Sequence, residues 1–203
     1  AISMLQTFDG AAGVIDEKLV RMKQLAEQAA TGTYTSGQRD IMNQEFSELK
    51  SEISRIANNT EFNGKKALDT DSSDALTIHF GPDSGDNYSI DKHNLTATGL
   101  GLSATSITTA SAAQTALNTI DNAIQTKDSA RAHFGAMTNR LRATVSAEQI
   151  RRENVQAAES RISDVDVATE MAKLTRNKVL AQSGVAMLAQ ANSVPQMAMS
   201  LLR

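Results

Sequence analysis

Cysteine is absent from this sequence, which excludes disulfides, thiolate metal sites and a cysteine nucleophile together. Such a chain suits either a reducing compartment or an exported protein that avoids thiols. Tryptophan is also absent, and aromatic residues make up only 3% of the chain. Compact globules lean on aromatic rings to fill their centres. A shortage of rings beside 40% hydrophobic content favours thin helical packing by Ala, Leu, Ile and Met. Only Pro82 and Pro195 interrupt the chain, so long helices are permitted. Charge of neither sign dominates, the formal net charge being -3 over 203 residues. A general nucleic-acid binder carries a dominant basic surface, so nucleic acid is not expected as a partner. The opening "AISMLQTFDGAA" lacks a basic-then-apolar signal pattern. It enters a heptad already in progress, and further residues are expected ahead of Ala1.

The chain is long enough to bury one substantial core or two small ones. In its first segment Leu5, Phe8, Ala12, Ile15, Leu19, Met22, Ala26 and Ala29 recur at steps of three and four. That heptad seam predicts a helix roughly 45 Å long packed lengthwise against others. After "TGTYTSG" a second helix is expected, capped by Ser36 or Asp40, with a seam of Met42, Phe46, Leu49, Ile53 and Ile56. "NNTEFNGKKALD" supplies turn residues to end it, and the two helices should form an antiparallel pair. Leu76, Ile78 and Phe80 alternate with polar residues, "GPDSGDN" turns, and Tyr88 and Ile90 alternate again. This predicts a β-hairpin in a region from about 71 to 105, with a third short strand around Leu95.

Helical spacing then returns through Ala113, Leu117, Ile120 and Ile124, continues through Phe134, Met137 and Leu141, and finishes with Val155, Ala158, Ile162 and Val165. "SRISDVDVATE" reads as a joint, with Ser163 or Asp164 capping a fresh helix. Beyond it Val167, Met171, Leu174, Ala181, Val185 and Leu188 again keep heptad spacing. The fold class expected is mainly α: a rod of long antiparallel helices in a coiled-coil-like bundle, with a small β-hairpin element and a C-terminal helical tail.

The tail lacks charge altogether from Val179 to Leu202. A membrane span needs about 20 predominantly apolar residues, and the repeated Gln, Asn and Ser here argue against one. An interfacial membrane helix carries Lys and Arg along its polar face, and none stands between Lys178 and Arg203. No membrane partner is expected. Burying Val179, Leu180, Val185, Met187 and Leu188 is worth roughly 10 kcal/mol, and an isolated helix of this length is marginal in water. The tail is therefore expected to be an assembly surface, frayed or sticky alone and completed by another chain.

Sites for chemistry are sparse. His79, His93 and His133 keep no ligand spacing, "GLGLS" at 99–103 lacks the context of a phosphate cradle, and no metal or other cofactor is expected. Arg140, Arg142, Arg151 and Arg152 stand near Glu148 and Glu153 without interleaved aromatics, which suits a solvated helical face. "NLT" at 94–96 satisfies a glycosylation pattern that is common by chance. No nucleophile–base–orienter set can be assembled, so an enzyme is not expected.

The stretches "AISMLQTFDGAAGVIDEKLVRMKQLAEQAATGTYTSGQRD", "EISRIANNTEFNGKKALD" and "SRISDVDVATEMAKLTRNKVLAQSGVAMLAQANSVPQMAMSLLR" closely resemble bacterial flagellin, the subunit of the flagellar filament. The resemblance implies a core domain over residues 1–162 and, over 163–203, the C-terminal half of the filament's inner tube. The short stretch from about 71 to 105 leaves no room for large outer domains, which implies a minimal form. It implies homo-polymerisation outside the cell, export through the flagellar apparatus, and an export chaperone that holds Val167–Leu202 beforehand. It also implies a flagellin-sensing Toll-like receptor as a partner, through Arg21, Leu25 and Glu45. The same Arg21 and Glu45 equally suit subunit contacts within a filament. Two rival readings are a hook–filament junction protein, which shares terminal sequences with flagellin, and a cytoplasmic coiled-coil adaptor.

Overall fold

The computed structural model describes residues 1–69 and 76–201, with side chains as far as Ser193. The expected hairpin region therefore falls partly outside the described residues, at 71–75, as does Leu202. Two compact units divide after Glu148.

In the first unit, helix α1 (Ile2–Ala30) buries all eight predicted seam residues, from Leu5 to Ala29, with Met4 and Leu25 on the flanks. Helix α2 (Ser36–Asn59) buries Phe46, Ile53 and Ala57, with Met42, Leu49 and Ile56 packed partly against the core. Its cap differs from the expectation of Ser36 or Asp40. Thr35 Oγ1 accepts from the Gln38 amide while Gln38 Oε1 accepts from the Thr35 amide. This capping box satisfies two backbone donors at once, which neither expected residue can do from inside the helix. The turn that follows α2 carries Asn63 and Gly64 at positive φ, 51° and 71°, and closes with paired bonds between Phe62 and Lys65. Asn and Gly are the residues that tolerate that conformation.

Strands β1 (Leu76–His79) and β2 (Asn87–Ile90) pair antiparallel, Leu76 opposite Ile90. The third strand expected near Leu95 is not formed. The segment instead lays two amides, those of His93 and Leu95, onto the carbonyls of Ala67 and Leu68. Two bonds bury Leu95 but are too few for a ladder. The connector beyond is held by a polar row on α2. Asn43 Oδ1 accepts from the Ile107 amide, Ser54 Oγ from the Ala97 amide, and Lys50 Nζ donates to the Thr105 carbonyl at 2.8 Å. Burial pushes the Lys50 pKa down.

Helix α3 (Ala110–Ser163) buries Ala113, Ala116, Ile120, Ala123, Lys127, Ala130, Phe134, Met137 and Leu141, an unbroken three-four alternation. Of the expected seam, Ala113, Ile120, Phe134, Met137 and Leu141 are on this line, whereas Leu117 and Ile124 lie one step off it and pack only partly against the core. Ion pairs Lys23–Asp121 (2.7 Å), Lys127–Asp16 (2.6 Å) and Arg131–Asp9 (2.8 Å) set α3 antiparallel to α1. Phe8 and Phe134 meet at 6.2 Å. In that register the alanines of α1 and α3 fall at the same levels, where small side chains let the two helices approach closely.

The second unit contains the end of α3, a joint at 164–166 and helix α4 (Val167–Leu201). Asp166, rather than the expected Ser163 or Asp164, caps α4. Its Oδ1 accepts from the amides of Ala168 and Thr169, and its Oδ2 from the Thr169 hydroxyl. Those bonds, the Thr169 hydroxyl first, hold the Asp166 carboxyl below its usual range. The seam expected to finish at Val155, Ile162 and Val165 is exposed instead, Ile162 at 88%. A heptad is buried only where a second surface meets it.

Candidate functional site

Helix α4 presents Val167, Met171, Leu174, Val179, Leu180, Val185, Met187 and Leu188 to solvent, each between 46% and 72% exposed. Val167, Met171, Leu174, Val185 and Leu188 lie on the heptad line. Val179, Leu180 and Met187 lie off it, on other faces. A helix meant for one groove keeps a polar back, whereas one that is apolar on several sides suits enclosure all round. Near its start, Val165, Val167, Met171 and Leu174 line a groove of about 460 Å³ whose rim carries Glu170 and Lys173, paired at 3.1 Å. Among the described residues no helix is long and apolar enough to cross a membrane.

On the first unit, Arg21 Nε donates to Glu45 Oε1 at 2.7 Å, joining α1 to α2 across a half-exposed surface. Leu25 lies one turn beyond Arg21 but points inward and is only 2% exposed. The three residues are thus neighbours, two at the surface and one beneath it. Next to Glu45 a shallow groove of about 450 Å³ is lined by Lys18, Glu48, Leu49, Glu52 and Arg55.

The other sequence features have local partners. Asn94 of the "NLT" pattern is folded inward, its Oδ1 accepting from the Thr96 amide and hydroxyl. A Cβ at Gly99 would run into Asn94, so "GLGLS" is a tight connection. The Arg140 guanidinium stacks 3.8 Å from the Tyr88 ring. No group of three metal-ligating side chains is found among the described residues. Sequence reasoning missed Lys127, a lysine buried on the α3 seam. Its signal was the acidic residue at the next position and Asp16 at the matching level of α1.

Comparison with known proteins places the chain in a family. The family described as bacterial flagellin N-terminal helical region matches residues 1–73, and the bacterial flagellin C-terminal helical region matches residues 117–202. The chain belongs to the bacterial flagellin family. The flagellin of Halalkalibacterium halodurans is 41% identical over 204 residues, covering all of this chain and 75% of that protein. Flagellin FlaB2 of Treponema pallidum is 36% identical over 217 residues, again covering all of this chain and 76% of the relative. The crystal structure of Bacillus cereus flagellin superposes with a TM-score of 0.65 at 34% identity, over 72% of this chain and 84% of that one. This flagellin is accordingly a structural subunit of the extracellular flagellar filament, and serves motility rather than catalysis. Its homologous partner is further copies of itself.

Proposed function

We propose that this flagellin polymerises by enclosing α4 among the corresponding helices of neighbouring copies. Residues 1–162 then act as the core domain and 163–203 as the C-terminal half of the inner tube. The observation that carries this reading is the charge-free run from Val179 combined with apolar side chains exposed on several faces of α4. The eight residues named above are already partly covered by their own helix. Completing their burial contributes on the order of 10 kcal/mol per subunit, enough to offset the freedom lost on association. Deleting residues from Val179 onward should abolish filaments seen by electron microscopy while α1 to α3 remain helical by circular dichroism. Filaments of normal length from that variant would refute the reading.

The same stripe, Val167 to Leu202, is the segment an export chaperone would hold, because an uncovered apolar helix must be shielded from premature assembly. A Val185→Asp, Leu188→Asp double variant should lose co-purification with that chaperone. Retained co-purification would move the chaperone site elsewhere. For the Toll-like receptor, Arg21 and Glu45 supply the exposed charges, and Leu25 acts from below by fixing the turn that carries Arg21. Arg21→Ala should lower receptor signalling by monomeric protein while filaments still form. An unchanged signal would exclude the pair from that contact.

A further inference from the structure

His93, in the segment after β2, and His133, on α3, meet in space with ring centroids 5.1 Å apart, edge to face. His93 also stands against Phe134 at 5.5 Å. His93 Nε2 and His133 Nδ1 are both buried without a hydrogen-bond partner. His133 Nε2 faces Asp91 Oδ2 at 3.6 Å, which leaves Nδ1 as the ring nitrogen turned inward. A neutral imidazole tolerates such a setting; a buried imidazolium without an acceptor does not. The backbone beneath is equally pointed. The His93 amide bonds the Ala67 carbonyl at 2.8 Å and the Leu95 amide bonds that of Leu68 at 2.9 Å. The residue whose ring packs against α3 is thus the same one whose amide ties this segment to Ala67.

We propose that the His93–His133 pair is an acid-sensitive latch, whose protonation expels the His93 ring and frees residues 91–95 from α3 and from Ala67 and Leu68. The helical core of the first unit stays packed. Burial, then the neighbouring His133, pull the His93 pKa below the usual histidine value, with Asp91 acting in the opposite sense. Of the other charged groups nearby, Lys92 precedes His93 in the chain, and Asp69 Oδ1 is buried without a hydrogen-bond partner. Lys66 and Asp69, flanking the Ala67–Leu68 carbonyls, pair at 3.9 Å; Arg131 of α3 pairs with Asp9 of α1; Arg140 covers Tyr88. Asp91 is the carboxylate that faces the pair. Because the closed form excludes a proton that the open form accepts, the latch holds above the usual histidine pKa and weakens as pH falls below it.

The test is amide hydrogen exchange by NMR on the full monomeric chain at about pH 7.5 and about pH 5, corrected for intrinsic rates, with the imidazole Cε1–H shifts followed in parallel. Opening at the His93 and Leu95 amides should rise by up to about tenfold per pH unit for each proton taken up only by the open form. The Leu19 and Ile53 amides should not respond. His93→Phe keeps a packed ring and removes the titration, so the acid response should disappear, and likewise in the His93→Phe, His133→Phe double variant. Persistent acid loosening in either variant, or none in the natural chain once both imidazoles are protonated, overturns the latch. If the variants fail to fold, the natural chain decides alone: a His93 imidazole titrating at or above the usual value overturns it too. The measurement is made on monomer, so its outcome is independent of the assembly reading.

Discussion

Lys127 offers a sharp test of the idea that α3 presents one continuous heptad surface to α1. It occupies a seam position between Ala123 and Ala130 and is only 2% exposed. Its methylene stem fills a layer of the core, and its ammonium reaches Asp16 and Asp128, each at 2.6 Å. The Asp16 and Asp128 side chains remain 35% and 60% exposed, so water shares in solvating both carboxylates. Lys127→Ala removes three buried methylenes at about 0.8 kcal/mol each and leaves a cavity, for a total loss of about 2–4 kcal/mol. Lys127→Met keeps the volume and removes the charge. Leaving Asp16 unpaired costs about 1 kcal/mol, offset by no longer desolvating an ammonium. The Met variant should therefore lie within about 1 kcal/mol of the natural chain. Urea unfolding of monomeric protein, followed by far-UV circular dichroism, measures both. A Met variant as unstable as the Ala variant would show that the charge, not the stem, holds this layer. An Ala variant indistinguishable from the natural chain would remove Lys127 from the core altogether.

The ionisation of Lys127 adds a pH dimension. Burial opposes its charge, but the hydrogen bonds and charges of Asp128 and Asp16 outweigh that, and its pKa stands above the usual lysine value. A value raised on folding means the contribution is complete below the unfolded pKa of about 10.4 and is lost as pH rises through the folded one. The natural chain should show this alkaline loss, and Lys127→Met should not.

Other outcomes follow from the packing. Thr35→Ala removes the acceptor of the capping box and should cost about 1 kcal/mol, measured by the same unfolding experiment. Replacing Gln38 afterwards should then add little, because the box acts as a unit. Ala123→Leu places extra methylenes where α3 faces α1 and should destabilise the first unit by about 1–3 kcal/mol. Leu117→Ala, one step off the line, should cost less than a substitution of the buried Ile120 by the same residue.

Much of this flagellin could be read from residue order alone. A three-four spacing of apolar residues is a property of the chain, and for α1 it named every seam residue that the fold buries. On α3 the same spacing named Ala113, Ile120, Phe134, Met137 and Leu141 but set Leu117 and Ile124 one step off, because Ala and Lys carry little hydrophobic signal. Only the facing helix reveals that Ala116, Ala123 and Lys127 are the buried ones. Caps were legible in kind but not in position. Thr35 wins because it exchanges bonds reciprocally with Gln38, and Asp166 because it reaches the amides of Ala168 and Thr169 and the Thr169 hydroxyl, choices made by local conformation rather than composition. The absence of charge in the tail was legible in the sequence; the exposure of the α4 side chains described as far as Ser193 came from the structure. Tertiary structure alone decided what no linear spacing encodes: the inward turn of Leu25 beneath Arg21 and Glu45, the folding of Asn94 into its own loop, and the meeting of His93 with His133. The reason is physical. Periodicity records which side of an element is apolar, whereas contacts between distant segments depend on where the chain reverses and on what surface it then meets.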